Sequence, residues 1–152
     1  MLNPTPGRLL AGVADALDET VLPALERGPA RDQVRAAVGI VRRCARAIDA
    51  FGPTVHADCV DVAGSLRAIA AADPDLVTDR VGFDVALDGA ERVLAQSYPP
   101  VGDLVEVALA LHAVVADVAV AVERHGSDQR AAVRALLQRM NDRQRTLDLS
   151  PW

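Results

Sequence analysis

Apolar residues recur at three- and four-residue intervals along most of the chain, and no run of alternating apolar and polar β-formers is sustained, so the pattern predicts helices throughout. Leu9, Leu10, Val13, Leu17 and Val21 form the stripe of a first helix that opens after Pro6. Pro23 is expected to bend or end it, because proline lacks an N–H and its ring crowds the preceding turn. Gly28-Pro29 opens a second helix with a heptad-like seam of Val34, Val38, Val41, Ala45 and Ile48, which Gly52-Pro53 is expected to stop. Thr54 then serves as the cap of a third, carrying Val55, Cys59, Val62, Leu66 and Ile69 and ending at Asp73-Pro74, which act in turn as N-cap and N1 of the next.

The pattern weakens over residues 76–95, where Gly82 divides a short turn from a longer helix with Val85, Leu87, Val93 and Leu94. Ser97-Tyr98-Pro99-Pro100 reads as a linker. It precedes the most hydrophobic helix, residues 102–125, which turns Leu104, Val107, Leu111, Val114, Val115, Val118 and Val122 to one face and Glu106, Asp117 and Arg124 to the other, with Gly126 at C′. Ser127 caps a last helix with Val133, Leu137 and Met140 inward; the tail, residues 147–152, either packs or frays. The architecture expected is all-α: an antiparallel helical bundle of five to seven helices in a single domain, residues 1–152, with a subdomain break at 97–100. Gly12, Gly39, Gly64 and Gly89 fall inside helices, where each costs up to about 1 kcal/mol against alanine, and close helix crossings would explain them.

Composition sharpens this picture. Half of the 152 residues (51%) are hydrophobic, with 28 Ala and 21 Val against four aromatics, Phe51, Phe83, Tyr98 and Trp152, so the core must be built from small aliphatic side chains. All 16 basic residues are Arg, which fits the codon usage of a GC-rich genome. A net charge of −5 disfavours nucleic acid as a partner. Residues 104–122 are interrupted by Glu106, His112 and Asp117, costly in lipid, so no membrane span is expected. No basic n-region precedes an apolar run at the N-terminus, and two cysteines are too few for a disulfide framework, so the expected location is cytoplasmic.

Candidate chemistry is sparse. His56 and Cys59 share a helical face and could offer two ligands to zinc, or an imidazole-activated thiolate. A closed zinc site needs four ligands, however, and Cys59 falls on the apolar stripe; the plainer reading is a buried structural Cys59 with a surface His56. Phosphate-loop, nucleophile-elbow, dinucleotide and di-iron patterns do not occur in the sequence. No catalytic residue, metal or cofactor is therefore assigned. Acid pairs at Asp15, Asp18 and Glu19, at Asp58 and Asp61, and at Asp84 and Asp88 read as solvated surface in a chain with 21 acids. The most suggestive polar feature is an arginine ladder: Arg31, Arg35, Arg42 and Arg46 fall within roughly 60° of one another at about 100° per residue. It is either a solvated stripe exchanging ion pairs with acids of neighbouring helices or a docking surface for an acidic partner or phosphorylated ligand, enlarged by Arg27 and Arg43.

Three segments carry a family resemblance: Arg8-Leu9-Leu10-Ala11-Gly12-Val13-Ala14-Asp15-Ala16-Leu17, Val21-Leu22-Pro23-Ala24-Leu25, and Val34-Arg35-Ala36-Ala37-Val38-Gly39-Ile40-Val41-Arg42-Arg43. Together they resemble the start of the small bacterial DUF6285 proteins, helical chains typically encoded beside an aminoglycoside-phosphotransferase-like kinase and an acyl-CoA dehydrogenase. The chain departs from that pattern at residues 35–39, where the family's asparagine is absent. The resemblance implies a non-catalytic accessory subunit of a small-molecule kinase, one acting on hydroxyacyl-CoA thioesters. The alternative is a self-associating, homo-oligomeric bundle that binds a small ligand in a pocket against the helix at 102–125, with His112 at its border.

Overall fold

Thr5 starts the first helix, α1 (Pro6–Ala16): its Oγ accepts the Arg8 N–H at 3.3 Å, and Pro6 occupies N1, where a missing N–H costs nothing. A computed structural model describes residues 4–147 and shows an all-α chain, with no strand among the described residues. Two compact units are resolved, one reaching to Phe51 and one covering Gly52–Thr146. The expected linker at 97–100 lies within the second. Residues 148–152, including Trp152 and most of the tail, lie outside the described residues.

In the first unit, α1 continues into a π-helical turn, Leu17–Val21, and a single α-turn, Leu22–Ala24. The wide turn lets the Leu22 N–H reach the Leu17 carbonyl, so Pro23 enters at the second position of a fresh turn and the helix ends only at Leu25, which is extended. Ala14, Leu22 and Val38 are buried, with Leu17, Val34 and Val41 packed around them. Gly7 is where backbones meet closely: an added Cβ would stand 2.5 Å from the Ala45 carbonyl oxygen and 2.5 Å from the Asp49 carboxylate. At Gly12, Gly39, Gly64 and Gly89 a Cβ would meet nothing within 4 Å, so helix crossing does not account for those four.

The second helix, α2 (Pro29–Ala72), overturns the expected stop at Gly52-Pro53 and the Thr54 cap, since it runs through Pro53 for 44 residues. Proline inside a helix costs about 3 kcal/mol. Val55, Cys59, Val62, Leu66 and Ile69 follow directly and are all buried, each worth about 1.5–3 kcal/mol, so packing of the C-terminal half outweighs the lost rung.

The second unit adds a 3₁₀ turn at Pro74–Leu76, then α3 (Arg80–Leu94), α4 (Val101–His125) and α5 (Arg130–Leu147). Asp73 precedes the turn as expected, but its carboxylate accepts from the Ser127 hydroxyl rather than from the turn. The division between turn and helix falls at Asp79, not Gly82: Asp79 accepts the Gly82 N–H at 3.0 Å, placing the glycine in the first turn of α3. The expected face of α4 is buried at Leu104, Val107, Leu111, Val115, Val118 and Val122, and Gly126 closes the helix at φ 66°. By length and composition α4 is long and apolar enough to cross a membrane; its Glu106 and Asp117 are exposed. In α5 the inward residues are Val133 and Leu136; Leu137, expected inward, is exposed because the stripe turns one residue earlier.

Candidate functional site

Asp58, Asp61 and Ser65 stand three and four residues apart, which puts them on one face of α2, while Arg139 and Arg143, four apart, share a face of α5. The two faces meet. Arg143 donates from Nε to Asp58 Oδ1 at 2.7 Å and from Nη2 to Asp61 Oδ2 at 2.6 Å, and Arg139 donates to both Asp61 oxygens at 2.9 and 3.0 Å and to Ser65 Oγ at 2.9 Å. From α4, His112 reaches Asp58 Oδ2 at 2.7 Å; an ionised carboxylate can only accept, so Nε2 carries the hydrogen.

Burial alone would raise the Asp58 carboxyl, but the hydrogen bonds from His112 and Arg143 outweigh it and hold the group below the ordinary carboxylate range. Asp61 is lowered chiefly by its hydrogen bonds to Arg139, against a smaller opposing effect of burial. Burial would lower the Arg143 guanidinium, yet the two aspartates raise it. Both oxygens of each acid are thus engaged by donors, and no protonated carboxyl is held ready for proton transfer. The cluster ties three helices together. Asp58 and Asp61, read from sequence as solvated, are instead buried and partly buried partners of α5.

Cys59 does not act as an activated thiol. Its Sγ–H donates to the Leu104 carbonyl at 3.5 Å, and burial with the neighbouring Asp58 charge pushes the thiol up to about 11. Among the described residues no group of three or more His, Cys, Asp or Glu side chains is placed to hold a metal ion.

The arginine ladder divides. Arg42 donates to Asp15 at 3.1 Å and Asp18 at 2.7 Å, joining α1 to α2 inside the first unit, and those hydrogen bonds raise its guanidinium above the ordinary value. Arg31 donates to the Leu25 carbonyl at 3.2 Å, and Arg35 lies 3.5 Å from Asp32 on its own helix. Arg46 is exposed and makes no ion pair among the described residues.

The same helix carries an apolar seam that sequence reasoning missed. Ala37, Ile40, Cys44, Ala47 and Phe51 follow heptad spacing, about 110° round the helix from the face of Val34, Val38, Val41 and Ala45. Ile40 is 46% and Phe51 36% exposed, while Cys44 and Ala47 between them are half-buried. The signal was present as a second set of three- and four-residue intervals, hidden by the alanine background. Ile48, expected in the inner seam, is exposed as well.

A groove of about 620 Å³ runs between α3 and α4, floored by Phe83, Ala86, Val107 and Val118. It lies against the helix where a pocket was expected, but His112 is not part of its lining and turns instead to Asp58. No family model matches the chain, and no curated protein or solved structure matches it either.

Proposed function

We propose that this chain is a non-catalytic accessory subunit, an antiparallel helical bundle that works in the cytoplasm by binding another protein. One observation carries the reading: among the described residues the apolar side chains buried in the first unit are Ala14, Leu22, Val38 and Ala45, while Ala37, Ile40 and Phe51 of the second seam stay exposed. A helix apolar on two sides is stable in water when both are covered, and here one side is. The saturated Asp58 cluster supports the absence of chemistry. The resemblance to DUF6285 proteins supplies the candidate partner, a phosphotransferase-like kinase acting on hydroxyacyl-CoA thioesters; of Arg31, Arg35, Arg42 and Arg46, the fold engages Arg31 and Arg42, and Arg35 and Arg46 offer an acidic partner a second contact about 150° round the helix from the seam.

Co-expression with the phosphotransferase-like kinase encoded nearest to its gene tests this. The expected result is a co-eluting complex that is lost on Ile40→Glu or Phe51→Glu and weakened by Arg35→Glu with Arg46→Glu. A kinase that elutes alone beside the folded native chain overturns it. The second reading, a self-associating bundle that binds a small ligand, is favoured by the uncharged character of the same seam. It predicts a dimer in sedimentation velocity that Ile40→Glu dissociates.

A further inference from the structure

The groove of the second unit is bounded by two rows with the same heptad spacing: Gly82, Val85, Gly89, Arg92 and Gln96 on the α3 side, and Asp103, Glu106, Ala110, Ala113 and Asp117 on α4. From Asp103 to Asp117 the row spans about 21 Å at about 1.5 Å per residue. A volume of about 620 Å³ drawn out over that length is too narrow for a whole helix, about 10 Å across with its side chains, yet accepts one row of side chains. The walls are small where such a row must enter: a Cβ at Gly89 would meet nothing within 4 Å, and Ala110 and Ala113 are exposed. Val85 beside them is 67% exposed.

The charge is one-sided. Asp79, Asp103, Glu106 and Asp117 line the groove against a single Arg92, and none of Asp103, Glu106, Asp117 or Arg92 makes an ion pair or side-chain hydrogen bond among the described residues. This contrasts with the Asp58 face, where every carboxylate is neutralised within the fold. A second copy placed here would bring the same uncompensated acids against the first.

We infer that this groove is the docking site for a cationic amphipathic helix from another protein, which inserts large apolar side chains between the Gly89 and Ala110–Ala113 walls and sets Arg or Lys residues against Asp103, Glu106 and Asp117. Large side chains opposite small ones complete the packing, and the flanking cations select the partner and its direction. The site is independent of the seam on the first unit.

The test uses a fluorescent, lactam-bridged helical peptide of about 15 residues with Leu at heptad a and d positions and Arg at the flanking positions, beside a twin with Glu for Arg. Anisotropy titrations of the full chain are expected to show the Arg peptide binding at least about tenfold more tightly than the Glu twin, with the preference falling as salt rises. Gly89→Leu fills the groove and should abolish binding while leaving the melting temperature unchanged or higher, since leucine favours helix and enters open space. Glu106→Arg with Asp117→Arg should reverse the preference. The inference is overturned by equal binding of the two peptides, by no binding, by binding that survives Gly89→Leu, or by a chain dimer that Gly89→Leu dissociates. No kinase enters the assay, so its outcome is separable from that of the accessory role.

Discussion

Arg143 donates from Nε to Asp58 across 2.7 Å, joining residues 85 apart in sequence, and its side chain is 23% exposed against 12% for the aspartate. A pair this well covered behaves differently from a surface ion pair: removing one partner leaves the other charged, enclosed and unmatched. Arg143→Ala is expected to destabilise the chain by about 2–4 kcal/mol, whereas Arg139→Ala, which removes a side chain 45% exposed, should cost about 0.5–1 kcal/mol. Urea unfolding of the two variants checks the order; equal losses would show that burial of Asp58 does not set the cost.

Acid should act through the same cluster. Asp58 and Asp61 titrate below their ordinary value of 3.8 in the folded chain, so the stability they contribute is present above that value and is lost as pH falls through their lowered folded values. The urea midpoint is expected to drop below about pH 4. Asp58→Asn should be less stable at pH 7 yet show a shallower acid limb; parallel limbs would place the acid sensitivity elsewhere.

Thiol chemistry offers a third measurement. With its group pushed up to about 11 and its Sγ–H engaged by the Leu104 carbonyl, Cys59 should stay unreactive toward a disulfide reagent at pH 8 in the native chain, while half-buried Cys44 reacts. Denaturant should release the second thiol. Rapid native labelling of both would contradict the buried, protonated state.

The glycines divide by space. Gly7→Ala must displace the Ala45 carbonyl or the Asp49 carboxylate that accepts the Gly7 N–H at 3.2 Å, and it should lower the stability of the first unit. Gly12→Ala and Gly39→Ala enter open space and should each raise stability by about 0.5–1 kcal/mol through helix propensity. Thermal melts of the three single variants separate the outcomes.

Helix α4 was legible because its apolar face and closing Gly126 agree, and the inner seam of Val34, Val38 and Val41 was legible for the same reason. The run through Pro53 was not, because a local breaker competes there with burial of residues that follow it, and burial is decided by partners distant in the chain. The Asp58 cluster escaped for a related cause: acids spaced 58, 61 and arginines spaced 139, 143 match as helix faces, but nothing local marks them as facing one another. The arginine ladder follows from helical spacing alone, while its pairing of Arg42 with Asp15 and Asp18 depends on how α1 returns.

Pro53 has one more consequence. It withholds a hydrogen from the Asp49 carbonyl, and it stands one residue beyond the point where the first unit gives way to the second, so α2 is unbroken as a backbone path yet lacks a rung where the two cores divide. Amides before residue 52 are secured by a few small side chains and those after it by a full core, so solvent deuterium should enter the front of this helix well ahead of the back. One helix thereby serves two cooperative units, the earlier of which can open and reclose while the later stays shut.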